Sequence, residues 1–286
     1  MTPNLPHLAQ RLFNTPLAIT PGKIEVIVAA LADRFGISKM FRADGTSASM
    51  MDDDGPPAFM RPSEVSNGVM VIRVEGTLVH KLGTMQPYSG MTGYDGIRSN
   101  FMSALTDPAI RGIVMHIDSP GGEVSGCFDL ADLIYQSRGV KPIWAILEES
   151  AHSAAYALAS ACDRVYVPRT GGTGSVGVIC AHIDMSKALT TAGMTVSLIT
   201  YGARKADGNP YTPLERAVRA RFQADVDAMG DLFVATVARN RKLSTAAVRA
   251  TQAGTYMGAK GVSVGFADAV MAPQAAFRSL LTTLPP

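Results

Sequence analysis

Four short segments of this chain carry residue types suited to acyl-transfer chemistry. The first is Glu148-Glu149-Ser150-Ala151-His152-Ser153-Ala154-Ala155-Tyr156, which joins the apolar run PIWAIL (142–147) to an alanine-rich helical pattern over 151–161. Ser153 falls at or near a helix N-terminus, where unpaired N–H groups and the positive dipole end favour developing negative charge. Small neighbours allow a substrate backbone to come close. Taken alone, Ser150 or Ser153 reads equally well as a plain helix N-cap. The second segment, Asp118-Ser119-Pro120-Gly121-Gly122, follows GIVMHI (112–117) and precedes a helix. Its glycines permit a tight turn, and their N–H groups can face an oxyanion.

The third segment is Gly171-Gly172-Thr173-Gly174-Ser175-Val176-Gly177, a formal GxGxxG over 172–177. A dinucleotide site needs a helix opening at the glycines and an acidic residue about twenty positions on. VICAHIDM follows instead, so the segment reads as a glycine-rich loop around Ser175. The fourth, Tyr201 to Pro210, holds Lys205 between TVSLIT (195–200) and a long helical pattern. A lysine serves as general base only when neutral, which requires desolvation or a neighbouring cation. The five histidines are His7, His80, His116, His152 and His182. His116 and His182 each open an H-I-D triplet, which on a strand puts His and Asp on one face. A Ser–His–Asp triad through His182 is therefore a rival to a Ser153–Lys205 dyad. No HExxH or Cys/His cluster occurs, and no metal or other cofactor is expected.

The elements that must position these residues are strands and helices in alternation. VMVIRV (69–74), GIVMHI (112–117), PIWAIL (142–147), RVYV (164–167) and TVSLIT (195–200) read as buried strands. Residues 127–137 and 151–161 read as helices, so the expectation is right-handed βαβ units around a largely parallel sheet. The clearest helix spans 213–241. Thr212 is its expected N-cap, Pro213 its first residue and Glu215 the close of a capping box. Leu214, Val218, Phe222, Val226, Met229, Phe233 and Val237 form its apolar stripe. Residues 23–35 read as a short amphipathic helix. The expected organisation is a helical arm (1–41), a flexible linker (42–68) rich in small residues, Gly and Pro, the main domain (69–272) and a tail (273–286).

The chain has 286 residues, 47% hydrophobic, enough for one full core. Its 26 basic and 24 acidic residues leave a net charge of +2, which argues against a nucleic-acid partner. Cys127, Cys162 and Cys180 form no CxxC pair and fit a reducing compartment. No apolar run reaches membrane-spanning length and no signal peptide is read at the N-terminus, so the expectation is a soluble cytoplasmic protein without a membrane partner.

Taken together, the four segments resemble the signal peptide peptidase A family of serine peptidases. Within it they are most similar to the phage head-maturation protease branch of the lambda protein C type. The resemblance runs through VEGTLVHKLG (74–83), HIDSPGGEVSGCFDLADLI (116–134), residues 149–189, YGARKADGNPYTPL (201–214) and GTYMGAKGVSVGFADAV (254–270). It implies an α/β ClpP/crotonase-like fold of repeated ββα units. It also implies Ser153 as nucleophile, Lys205 as general base, Ser175 as the residue orienting that lysine, and Gly121 and Gly122 as oxyanion-hole donors. The implied partners are capsid, portal or scaffold proteins as polypeptide substrates, in the bacterial host cytoplasm or within the prohead, and further copies of the chain in a homo-oligomer. With the chain stopping at Pro286, cleavage without scaffolding is expected. Two alternatives share the fold: a catalytically silent capsid-assembly protein, and an acyl-CoA hydratase or isomerase using the same Gly-Gly pair.

Overall fold

A computed structural model describes residues 13–32, 64–82 and 90–284. In chain order its elements begin with β1 (Leu17–Ile19), α1 (Pro21–Ala32), β2 (Glu64–Ser66), β3 (Val69–Val79), β4 (Met91–Gly93) and α2 (Tyr94–Thr106). Next come β5 (Gly112–Glu123), α3 (Cys127–Gln136), β6 (Ile143–His152), α4 (Ala154–Ser160), β7 (Arg164–Val167) and β8 (Gly172–Gly174). The remainder are α5 (Ser186–Thr191), α6 (Arg216–Arg241), α7 (Thr245–Ala250), β9 (Thr255–Met257), α8 (Ala259–Ser263), β10 (Ala269–Val270) and α9 (Pro273–Thr283).

Strand side chains alternate between two faces, and here both faces are covered. Ile72 and Val74 of β3, Ile113, Met115 and Ile117 of β5, and Ile143, Ala145 and Leu147 of β6 enter one buried cluster with helices α2, α3 and α4. Their neighbours Val69, Val71, Val114, Trp144 and Ile146 form a second cluster with Ala276, Leu280 and Leu284. The sheet runs β10-β7-β6-β5-β3-β2. It is parallel throughout except for β2, which pairs antiparallel with β3. This is the α/β architecture with a parallel core that the ClpP/crotonase-like reading expects.

The register slips between Glu75 and Thr77 on β3 and between Ile117 and Ser119 on β5. Beyond these irregularities the strands keep their neighbours and add new partners. β5 pairs antiparallel with β1 through Gly121–Glu123, and the end of β6 pairs with β8. β8 in turn pairs antiparallel with β9. Bulges of this kind bend strands and re-aim side chains. Here β5 remains paired with β3 through Gly121 and Gly122, and β6 with β5 through Ala151, so the slips re-register the strands within the sheet just before Ser153.

Several sequence expectations need correction. Residues 195–200 form no strand. A β-rich run needs an edge to pair with, and this one lies on the surface with Ile199 and Tyr201 fully exposed and Met194, Val196 and Leu198 about half exposed. The capping box is absent, because Asn209 takes Thr212 into its own turn, its Oδ1 accepting from the Thr212 N–H at 3.2 Å. Helix α6 instead starts at Arg216, with Glu215 as an N-cap in extended conformation. Its stripe is fully buried at Val218, Phe233 and Val237 but only half-buried at Leu214, Phe222, Val226 and Met229. Residues 151–152, read as helix, are the end of β6. Residues 64–68, read as linker, form β2 and a turn, whereas 42–63 lie outside the described residues. Residues 17–19, read as part of a helical arm, form β1, and the tail from 273 is largely helix.

That last helix covers the second sheet face, so it belongs to the core. Leu280→Ala should destabilise the domain by about 2–5 kcal/mol, the range for a buried Leu truncated without collapse of its site. Denaturant unfolding checks this.

Candidate active site

Ser153 sits where β6 becomes α4, with φ 55° and ψ −121°. A non-glycine residue at positive φ is held there by its surroundings, and such strained strand-to-helix turns present nucleophiles. The holding contacts are visible. The Ser153 N–H donates to the Gly174 carbonyl at 2.8 Å, and the Ser153 carbonyl accepts from the Ala157 N–H at 3.0 Å. Helix α4 behind it, AAYALAS, is buried at every residue. Small side chains let it sink into the core, and Tyr156 Oη anchors it by donating to the Phe266 carbonyl at 2.9 Å. At its far end Arg138 donates to the carbonyls of Ser160, Ala161 and Cys162 at 2.6–2.8 Å. A cation there satisfies orphan carbonyls and complements the helix dipole.

The structure brings Gly121 to Ser153, with Gly122 beside it against Leu78. A Cβ on Gly121 (φ +100°) would lie 2.9 Å from Ser153 Cβ and 2.3 Å from the Ala18 carbonyl oxygen. One on Gly122 would lie 1.9 Å from the Leu78 carbonyl oxygen. Glycine is required at both positions by close backbone approach. The Gly121 N–H donates at 3.2 Å to Ser119 Oγ, which itself donates to the Gly76 carbonyl at 2.6 Å. Ser119 is buried and holds this turn, a role that the bare S-P-G-G string does not reveal.

Ser175 is buried at φ 56°, its N–H donating to the Gly254 carbonyl at 2.9 Å. It follows Gly174, whose carbonyl accepts from Ser153, so the glycine-rich loop wraps the candidate nucleophile. Ser153 Oγ is 3.4 Å from the Gly177 carbonyl of the same loop. Lys205 is placed differently. It lies in an exposed turn, its N–H donating to the Gly202 carbonyl, and its ammonium makes no hydrogen bond or ion pair among the described residues. The single chain therefore assembles Ser153, Ser175 and the glycines, but not the pair of Ser153 and Lys205.

His182 and His116 have partners other than Ser153. His182 Nδ1 is 3.0 Å from Asn14 Oδ1, and His116 Nε2 is 2.7 Å from Glu148 Oε2 on the opposite sheet face. Neither bonds to Ser153, so the triad through His182 is not assembled. His152 is largely buried against Gly172, with no partner for Nε2 among the described residues. Burial holds its pKa below the usual imidazole value. Among the described residues no group of three His, Cys, Asp or Glu side chains gathers as a metal site, all three cysteines are free thiols, and no helix is long and apolar enough to cross a membrane.

Against known proteins, the model of peptidase family S49 matches residues 136–283. Capsid assembly protease C of Escherichia phage lambda is 41% identical over 276 residues, 93% of this chain and 63% of that protein. Head-tail preconnector protein GP5 of Enterobacteria phage P21 is 39% identical, over 99% of this chain and 58% of its own length. A putative signal peptide peptidase SppA of Enterococcus faecium is 28% identical over 63% of this chain and 54% of that one. The chain thus spans less than two thirds of the length of each of these relatives.

The state of His152 has a measurable consequence. A depressed folded pKa favours the neutral ring, so its contribution to stability is fully present above the unfolded value of about 6.5 and is lost as pH falls below that value and through the lower folded one. The fall in Tm between about pH 7.5 and about pH 5 should therefore be smaller in His152→Asn than in the parent, read by thermal melts across pH.

Proposed function

The chain belongs to peptidase family S49, and from that premise we propose that it is a serine endopeptidase with Ser153 as nucleophile and Lys205 as general base. The observation that carries this reading is the backbone of Ser153, a buried serine at φ 55° between two glycine segments. A serine held this way by its neighbours suits attack on a carbonyl better than helix capping, and its side chain makes no cap hydrogen bond.

In the proposed reaction neutral Lys205 takes the Ser153 proton, Ser153 Oγ attacks the scissile carbonyl, and the Gly121 and Gly122 N–H groups, the first released from Ser119 Oγ and the second from strand β1, face the oxyanion. Ser175 orients the lysine, which then protonates the leaving amine before water hydrolyses the acyl-enzyme. The substrates we propose are phage capsid, portal or scaffold proteins during prohead maturation, in the host cytoplasm or within the prohead. The names of the lambda and P21 relatives support this assignment.

We place completion of the dyad in a homo-oligomer. Lys205 closes a surface stretch that exposes Met194, Val196, Leu198, Ile199 and Tyr201. A second copy packed there would bury this stretch and desolvate the ammonium, which disfavours its charged form. Light scattering should then show a species larger than a monomer, and Ile199→Glu should shift it towards the monomer and lower the activity. A fully active monomer counts against this arrangement.

Peptide hydrolysis tests the dyad directly. Ser153→Ala should lower turnover by at least about 10³-fold with the fold intact. Lys205→Met, which keeps the stem but removes the base, should lower it by about 10²–10⁴-fold. His182→Ala should retain most activity. An active Lys205→Met enzyme would end the dyad assignment.

A further inference from the structure

Strand β1 is bonded on both edges, and both edges belong to the site. On one side Leu17 and Ile179 exchange backbone hydrogen bonds at 2.8 and 2.9 Å, two residues beyond the Gly177 carbonyl that faces Ser153 Oγ. On the other side Leu17, Ala18 and Ile19 lie opposite Glu123, Gly122 and Gly121 in antiparallel register. The Thr20 N–H donates to the Pro120 carbonyl at 3.0 Å. Antiparallel ladders alternate bonded and non-bonded pairs, so the next bonded pair is Ala18 with Gly122, and the Gly122 N–H is given to the Ala18 carbonyl. That carbonyl oxygen and Ser153 Cβ both crowd the point where a Cβ on Gly121 would sit.

We infer that residues 15–20 occupy this chain's own peptide cleft as a pseudosubstrate, so that a substrate must displace them before it reaches Ser153. This rests on the peptidase reading above and adds a substrate class: an extended segment, paired on both edges, with a small residue at the place of Ala18. Ala18 has no exposed surface and shares a buried cluster with Leu78, Ala151 and Ala154, leaving no space for a larger side chain. Leu17 and Ile19, which alternate with it, instead pack with Ile24 of the chain's own α1. The strand is latched from one end by Asn14. Its side chain donates to the Gly208 carbonyl at 2.8 Å and lies 3.0 Å from His182 Nδ1.

The test measures binding in the full-length chain and needs no turnover. The probe is a fluorescent hexapeptide of residues 15–20, Thr-Pro-Leu-Ala-Ile-Thr, followed by anisotropy with Ser153→Ala in the background. Ala18→Glu expels the strand from its buried position, and Asn14→Ala releases the latch, so the second variant answers where the first does not fold. Each folded variant should bind the probe about 10-fold or more tighter than Ser153→Ala alone, because self-occupancy reduces apparent affinity by the unoccupied fraction. A probe with tryptophan in place of alanine should bind far more weakly. Equal affinity in all folded chains, or unfolding of both variants, overturns the inference. Hydrolysis by the parent chain is scored separately: turnover with equal probe affinities keeps the peptidase and loses the pseudosubstrate, and tighter binding without turnover does the reverse.

Discussion

Everything near Ser153 depends on backbones approaching more closely than side chains allow. The turn at φ 55° stands only because Gly121 offers hydrogen where another residue would place a methyl against Ser153. Gly122 admits the Leu78 carbonyl in the same way, and Gly174 (φ +102°) admits that of Gly254. The hydrogen bonds at the site follow from this contact distance. Ser153 reaches Gly174, Ser175 reaches Gly254, and β1 reaches Gly122 across gaps that side chains would have widened. Any one of these glycines replaced by alanine would push apart two backbone segments rather than one residue.

The sheet serves this junction by being rigid on both faces. One face is sealed by the helices around α4, the other by α9. Beside the first turn of α9 the second face turns polar: Arg73 and His116 lie side by side on β3 and β5, and Glu148 bonds His116. The register slips follow soon after this polar group on β3 and β5.

Much of this was legible in the sequence, for local reasons. RVYV at 164–167 is a short apolar run with one reading, and the Ser153 and Gly121 segments each sit between a strand pattern and a helix pattern. The failures were not local. Nothing in Leu17-Ala18-Ile19 distinguishes a strand from the start of a helix, and its pairing partner is about a hundred residues away. TVSLIT has strand composition, yet composition supplies no edge, and the single chain offers it none. Thr212 had the letters of a capping box, but Asn209 three residues earlier competed for it and won. The place of Lys205 was read from family resemblance rather than from pattern, and the single chain leaves that position in solvent.

The uncovered stretch at 195–200 also bears on how this protein behaves in concentrated solution. Thr195-Val196-Ser197-Leu198-Ile199-Thr200 is a six-residue window of high β propensity with no charge and no proline. Displayed on a surface, such a window is a template for intermolecular cross-β stacking. Its nearest charged neighbours are Lys187 before it and Arg204 after it, too distant to act as gatekeepers. A single copy of this chain would accordingly lose material to aggregates by self-templating through this window, a route open to a chain whose domain core is fully folded.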